Sequence, residues 1–381
     1  MQLWSDRTIV RHHHHIGNER SLRVAATVTR DTPWDRTKAR AFGSGREALI
    51  ALVQALDLPA GAPILVPTYV PEGVIDPFRK SGLTVVQYPL DRFLDPEWEM
   101  FGNLVARHEP RLAVMIHYFG IQKDIVRFSD ICRPRGTLVI EDMAHAVPSP
   151  GSALGQTGDF VLYSLPKMLG VPDGAILECR NEQVPPNKLK VKRTALHGIY
   201  VALQLCSLAC NTLAHQTLFR GLWKRAGPAL AAASYRLLMR CYITPNPMSR
   251  VASFLLDHTE WDTMILHRHA LESRYDSGLD RTAFTRFPAP ADALHCAFGF
   301  PVLVDRRESF ISYLGERGVR GVVLETRWDF LRREPQNLEA IKSMKRHFLF
   351  PTAYHLTEQD VDRVVALANE WAKLEAAARA Q

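Results

Sequence analysis

The chain has 381 residues, with 47 Lys and Arg against 40 Asp and Glu and a formal net charge of +7. Its 46% hydrophobic and 23% charged content excludes a disordered tail or a fibre, and its length accommodates one large domain and a smaller one. The basic balance suits anionic partners, but there is no zinc-finger spacing, aromatic-and-basic signature or long basic tail, so no nucleic acid partner is expected.

Met1 to Arg11 lacks the basic start, apolar run and cleavage site of a secretory signal. The six cysteines, Cys132, Cys179, Cys206, Cys210, Cys241 and Cys296, show neither a CxxC pair nor a disulfide-framework spacing. Both features lead to an expected cytoplasmic location with free thiols. The run His12 to His15 reads as a polar terminal segment rather than a ligand set, and no metal is expected.

From Phe42 to Ile140 helices alternate with short apolar strands. Arg46 to Leu56 places Ala48, Leu49, Leu52, Val53 and Leu56 on one helical face; Ala62 to Pro67 is a strand, and Val74 to Ser81 a helix stopped by Gly82. Leu83 to Tyr88 is the next strand, Pro96 to His108 a helix, Leu112 to His117 a buried strand, Ile125 to Cys132 a helix, and Thr137 to Glu141 a strand. Such alternation predicts a mainly parallel sheet covered on both faces, with ligand-binding polar residues just past the strand ends. Farther on, Ala195 to Phe219 and Gly227 to Arg240 read as two helices joined by a basic turn, Arg220 to Arg225. Met248 to Leu279 is predicted as one long charged helix, Ala293 to Val304 and Phe348 to Thr352 as strand-like runs, and Arg307 to Arg317 and Thr357 to Ala378 as helices. The expected division is a segment 1–40, a large domain 41–280 with a helical insertion 195–240, and a small C-terminal α+β domain 281–381.

Four clusters carry chemistry: FGSGREAL at Phe42 to Leu49, IHYFG at Ile116 to Gly120, IEDMAHA at Ile140 to Ala146, and GDFVLYSLPKMLGVPDGA at Gly158 to Ala175. Gly43-Ser44-Gly45 before a helix is a turn whose amides can hold a phosphate, or a plain helix cap. Asp142, past an apolar strand, suits an N-cap, a salt bridge or a cation-facing carboxylate. Lys167 lies in the apolar run Leu165-Pro166-Lys167-Met168-Leu169, where it either snorkels or serves as a desolvated nucleophilic amine.

In their order and strand-end placement these clusters resemble the DegT/StrS-type sugar aminotransferases, a family of fold-type-I pyridoxal phosphate (PLP) enzymes. The resemblance covers Ala41 to Arg180, and Met248 to Trp371 more loosely. It implies a mainly parallel seven-stranded sheet with helices on both faces, a small C-terminal α+β domain, a homodimer, and PLP as cofactor. By this resemblance Ser44-Gly45-Arg46 would offer amides to the cofactor phosphate, Asp142 would pair with the pyridine nitrogen, and His145 would lie beside the ring hydroxyl. Ser164 would be the phosphate-binding serine and Lys167 the Schiff-base lysine, making Lys167 and Asp142 the catalytic pair, with Tyr69 the candidate to cover the ring.

The chain departs from the family in places. Phe160 to Lys167 is two residues short, Gly174-Ala175 replaces a glycine pair, and Arg46 stands where the family has Thr. Asn246 to Arg250 is the stand-in for an Asn-Arg motif that the family donates from the partner subunit. The implied activity is transfer of an amino group from an amino acid, glutamate in the family, to a nucleotide-linked keto sugar, feeding surface polysaccharide or glycosylated metabolites. Related sugar dehydratases replace the lysine, so Lys167 argues for transamination. The alternative is a catalytically inactive aminotransferase-fold scaffold associated with membrane glycan assembly.

The insertion has no counterpart in the family core. Gln204, Ser207, Asn211 and His215 make a narrow polar stripe, leaving a wide face of Ile199, Val201, Leu203, Leu205, Leu208, Leu213 and Leu218. The polar stripe argues against a transmembrane span. Packing inside the subunit or across a dimer is the expected use of that face. The sharper reading is peripheral membrane docking, since Lys188, Lys190, Lys192, Arg193, Arg220, Lys224 and Arg225 flank it.

Overall fold

Short apolar runs separated by amphipathic helices fit parallel strands with helices returning over both faces, because a parallel crossover needs a dozen or more residues. A computed structural model of the chain, describing residues 16, 25, 28, 31–149, 152, 154–216, 220–241, 244–288, 295–324, 342 and 345–379, takes this form. The first elements are β1 (Ala39–Phe42), α1 (Gly45–Leu56), β2 (Pro63–Pro67), α2 (Glu72–Lys80), β3 (Thr84–Tyr88), α3 (Trp98–His108), β4 (Leu112–Ile116), α4 (Ile125–Cys132) and β5 (Leu138–Asp142). There follow β6 (Ala146–Pro148), β7 (Phe160–Ser164), α5 (Leu165–Met168) and β8 (Ala175–Cys179).

Seven of these strands form one sheet in the order β1-β8-β7-β5-β4-β2-β3. β3, β2, β4, β5 and β7 pair in parallel, and β8 runs antiparallel between β7 and β1. All five residues of β4 are buried, the mark of a strand covered on both faces. Asp142 proves to be the last residue of β5 rather than a loop residue after it, paired with Leu162 of β7.

The second half contains α6 (Ala195–Gln216), α7 (Arg220–Cys241), α8 (Arg250–Asp257), α9 (Trp261–Gly278), β9 (Thr285–Arg286), β10 (His295–Ala297), β11 (Phe300–Leu303), α10 (Arg307–Glu316), β12 (His347–Phe350) and α11 (Glu358–Arg379). Two expectations need correction. The single helix predicted over Met248 to Leu279 is two: Ser249 caps α8 by accepting from Ala252 N–H, and the Thr259 hydroxyl donates to Leu255 O where α8 ends. The strand predicted over Ala293 to Val304 also divides. β10 pairs with β6, while β11 lies between β9 and β12 in a separate sheet. Between them Phe298 N–H donates to His145 O at 2.9 Å, which ties this crossover to the end of the main sheet.

Three apolar cores result. The first fills both faces of the large sheet. The second packs Trp34, Tyr163 and Trp261 between β7, α8 and the start of α9. The third clusters Tyr275, Phe284, Phe310, Phe348, Phe350 and Trp371. α9 joins the last two, with Trp261, Met264 and Ile265 in one and Leu271 and Tyr275 in the other. His12 to His15 and Leu218, and the side chains of His215, Arg220, Lys224, Cys241 and Cys296, lie outside the described residues.

Candidate active site

Parallel strands of one sheet end on the same edge, so β5 and β7 deliver Asp142 and the Lys167 segment to neighbouring positions. α5 is a single turn that begins directly after β7, with Pro166 in its first turn supplying a helical φ at little entropic cost. The turn is also held from below. Arg268 of α9, only 5% exposed, donates from Nη2 to Met168 O at 2.8 Å and from Nη1 to Ala297 O at 3.1 Å. Glu272, one helical turn on, accepts from Ala297 N–H at 3.3 Å, and its carboxyl is pushed up to about 8 by burial despite the nearby guanidinium.

Lys167 Nζ lies 3.1 Å from His145 Nε2. His145 Nδ1 accepts the backbone N–H of Phe119 at 3.2 Å, so the single proton of a neutral imidazole belongs on Nε2 and points at Nζ. A nitrogen that accepts this proton must have its lone pair available, so the contact favours the uncharged form of Lys167. The electrostatics agree. Loss of water lowers the Lys167 pKa, Asp142 partly restores it and Arg46 lowers it further. Burial, then Lys167 and His347, holds His145 well below the ordinary imidazole value.

Asp142 is 3% exposed, and its Oδ1 accepts Ala144 N–H at 2.8 Å. Burial raises its pKa, against the pull of Lys167, the Ala144 amide and His117. A buried amine and a buried carboxylate that both shift toward neutrality are short of countercharge, a state that a cationic ligand group would relieve. Phe119, at φ 58, stacks nearly parallel to His145 and His347 and keeps the imidazole plane fixed.

The glycine-rich turn reaches the same edge. Ser44 caps α1 and its hydroxyl donates to Glu47 Oε2 at 2.8 Å, leaving the first-turn amides of α1 at the helix's positive end. A Cβ at Gly45 would make ordinary contact with Leu162 of β7, placing this end of α1 over the strand that leads to Lys167. Arg46 reaches across Gly73, where a Cβ would sit 2.3 Å from its Nε, and donates to Tyr235 Oη on α7 at 3.3 Å. Ser164 precedes α5 without capping it. Tyr69 is buried, tilted against Tyr118, and donates to Leu324 O at 3.2 Å; Tyr118 in turn donates to the Tyr69 carbonyl.

Residues 35–184 match the profile of the DegT/DnrJ/EryC1/StrS aminotransferase family. The match covers the part of the chain that builds the seven-stranded sheet. Its Lys167, Asp142 and His145 all fall inside the matched segment. A dTDP-4-dehydro-2,3,6-trideoxy-D-glucose 4-aminotransferase of Saccharopolyspora spinosa is 29% identical over 163 residues, 42% of this chain. The match spans 41% of that relative, less than half its length. Two solved structures are similar in fold. The aminotransferase TlmJ from Streptoalloteichus hindustanus has a TM-score of 0.63 at 19% identity, with 89% of this chain and 87% of that one covered. NtdA from Bacillus subtilis, solved with bound cofactor PMP, has a TM-score of 0.60 at 15% identity, with coverage of 87% and 72%.

Asn246, the stand-in for a motif donated to a partner, is 2% exposed and engaged within its own chain. Its Oδ1 accepts Thr194 N–H at 2.8 Å and its Nδ2 donates to Glu47 Oε1 at 2.8 Å. Several supporting residues have no assigned role in the sequence reading. Glu141 accepts His117 Nε2–H at 3.0 Å and the amides of Gly155 and Gly158, which fixes the loop into β7. Burial raises its pKa, but the His117 and amide bonds outweigh that and hold it below the ordinary value. An acid inside an otherwise apolar strand was the visible signal for it. Arg268 and Glu272 had a weaker one, a charged i,i+4 pair on a helix whose neighbours are apolar.

Proposed function

We propose that the chain is a PLP-dependent sugar aminotransferase, moving an amino group from an amino acid, glutamate by the family's habit, to the keto group of a nucleotide-linked sugar. The observation that carries this reading is the buried amine of Lys167, its pKa lowered by loss of water, held 3.1 Å from His145 beside the buried carboxylate of Asp142. The S. spinosa relative's nucleotide-linked substrate and the cofactor of NtdA, PMP being the aminated form of PLP, support it.

The donor set fits the cofactor. Asp142 would hold a protonated pyridine nitrogen, and the countercharge would end its present shortage. The first-turn amides of α1, Arg46 and Ser164 would receive the phosphate. Glu47, the carboxyl nearest that turn, is driven toward its neutral form by burial despite bonds from Asn246 and Ser44, so it opposes a phosphate less than an exposed acid would. When bound, PLP supplies an electron sink for the carbanion left by removal of the donor's α-proton. With it bound, Lys167 would take that proton at Nζ and return it, His145 Nε2–H would orient the amine, and Asp142 would hold the ring nitrogen in its charged form. Tyr69 and Tyr118 wall the pocket with apolar surface. Two copies of the chain in the cytoplasm, with products destined for surface polysaccharide or glycosylated metabolites, complete the proposal.

Borohydride reduction of PLP-saturated protein followed by peptide mapping is expected to leave a pyridoxyl adduct on Lys167. Lys167→Ala is expected to be colourless with PLP and to lose about 10²–10⁴-fold or more in amino transfer. An unmodified Lys167 in cofactor-saturated protein would overturn the reading and favour the non-catalytic scaffold.

A further inference from the structure

Residues 183–256 contain ten Lys and Arg and no Asp or Glu, so the entire positive excess of the chain resides there. This stretch holds α6 and α7, which pack along each other far more extensively than on any other element. The polar side chains of Gln204, Ser207, Asn211 and Ser234 face inward. Gln204 Nε2 donates to Ser234 Oγ at 2.6 Å, Ser207 Oγ donates to Gly227 O at 2.8 Å, and the Asn211 carboxamide fills the space beside Gly227. Outward lie Leu196, Ile199 and Leu222, 44%, 52% and 61% exposed. Val201 and Leu208 are buried in the pair, so these three are apolar surface beyond what its own packing uses.

Over Ala195–Leu213, α6 is long and apolar enough to cross a membrane. Its antiparallel partner is not, since α7 carries Arg225, Pro228 and Arg236. The base of the hairpin is also tied to the elements around the sheet, with His197 Nε2 3.0 Å from Asp173 in the turn before β8 and Tyr235 bonded to Arg46 of α1. The pair is therefore built to lie on a bilayer rather than span it.

We propose that the α6–α7 hairpin docks on an anionic lipid surface. Leu196, Ile199 and Leu222 enter the headgroup boundary, and the exposed Lys188, Lys190, Lys192, Arg193, Arg225 and Arg236 meet lipid phosphates. Charge selects this occupant over a second copy of the chain, because a two-fold contact would bring two acid-free basic faces together. The inference is independent of the chemistry at Lys167.

The test is flotation of the full, PLP-loaded chain with vesicles of phosphatidylcholine, with and without phosphatidylglycerol. The protein is expected to float with the anionic vesicles only, and about tenfold less at high salt. Leu196→Glu/Ile199→Glu is expected to float about tenfold less while keeping its circular dichroism and its cofactor colour. Protein that stays soluble beside anionic vesicles, or a variant that floats like the parent, overturns the proposal. So does a lipid-free oligomer that the double variant dissociates without any flotation of the parent, which would make the face a self-association surface.

Discussion

Lys167 and His145 are driven toward their neutral forms by one cause, the loss of water around each, and the hydrogen bond between them requires that state. A consequence for stability follows at His145. The unfolded chain takes up a proton there as pH falls through about 6.5, and the folded chain resists it, so stability present above that pH is lost below it, by up to about 1.4 kcal/mol per pH unit. His145→Gln removes the titrating group and is expected to flatten the acid-side decline of urea-unfolding free energy; equal slopes in parent and variant would contradict the buried-neutral assignment. Lys167 and Asp142 were legible as polar residues with no packing reason to sit in or past an apolar run, but their roles, and His145 altogether, came from the resemblance to the family. The pair Glu47 and Asn246 was not legible, since 199 positions separate them and no local pattern announces their contact.

At the level of elements, α5 is too short to hold itself. A single turn cannot repay the entropy of its own nucleation, so its position depends on the strand before it and on Arg268 beneath it. Arg268→Met strands the buried carbonyls of Met168 and Ala297 and is expected to cost about 1–3 kcal/mol for each. The measurement is a lower urea midpoint at unchanged slope, accompanied by weaker retention of PLP; a variant that matches the parent in both would show that β7 alone places the lysine. Gly43 plays a related part at α1, because a Cβ there would lie 2.3 Å from His197 Cε1 and 2.7 Å from Glu47 Oε2. Gly43→Ala is expected to destabilise the fold by about 1–3 kcal/mol through this overpacking, read as a lower melting temperature. The strands and helices of the first half were readable because period and length agree there. The break between α8 and α9 was not, because polar residues such as His258 and Thr259 suit a helix surface as well as a helix end.

Across the whole molecule the hairpin is an addition with its own economy. Gln204 and Ser234 meet at 2.6 Å across it, so the chain can be rejoined there. Replacing residues 205–233 by a short Gly-Ser linker is expected to leave the Lys167-dependent colour in place, because the outer half of the hairpin packs on itself rather than on the sheet, and to weaken vesicle flotation through loss of Leu222 and Arg225. Loss of PLP binding in that variant would mean that the hairpin supports the site as well as the surface. The apolar width of α6 was plain in its composition, whereas the direction of its polar stripe depends on α7, whose inward contacts only the packed pair defines.

Local order was settled by the amino-acid sequence alone: where apolar runs alternate with amphipathic ones, which glycine-rich turn opens a helix, and which amine and acid stand at strand ends. Those properties depend on neighbours a few residues away, so a linear pattern carries them. Tertiary structure decided what depends on distance through space. It drove Lys167 toward its neutral form by packing, turned Asn246 inward toward Glu47, and set the polar side of α6 against α7. Charge state and facing direction follow from who the neighbours are, and here those neighbours come from remote parts of the chain.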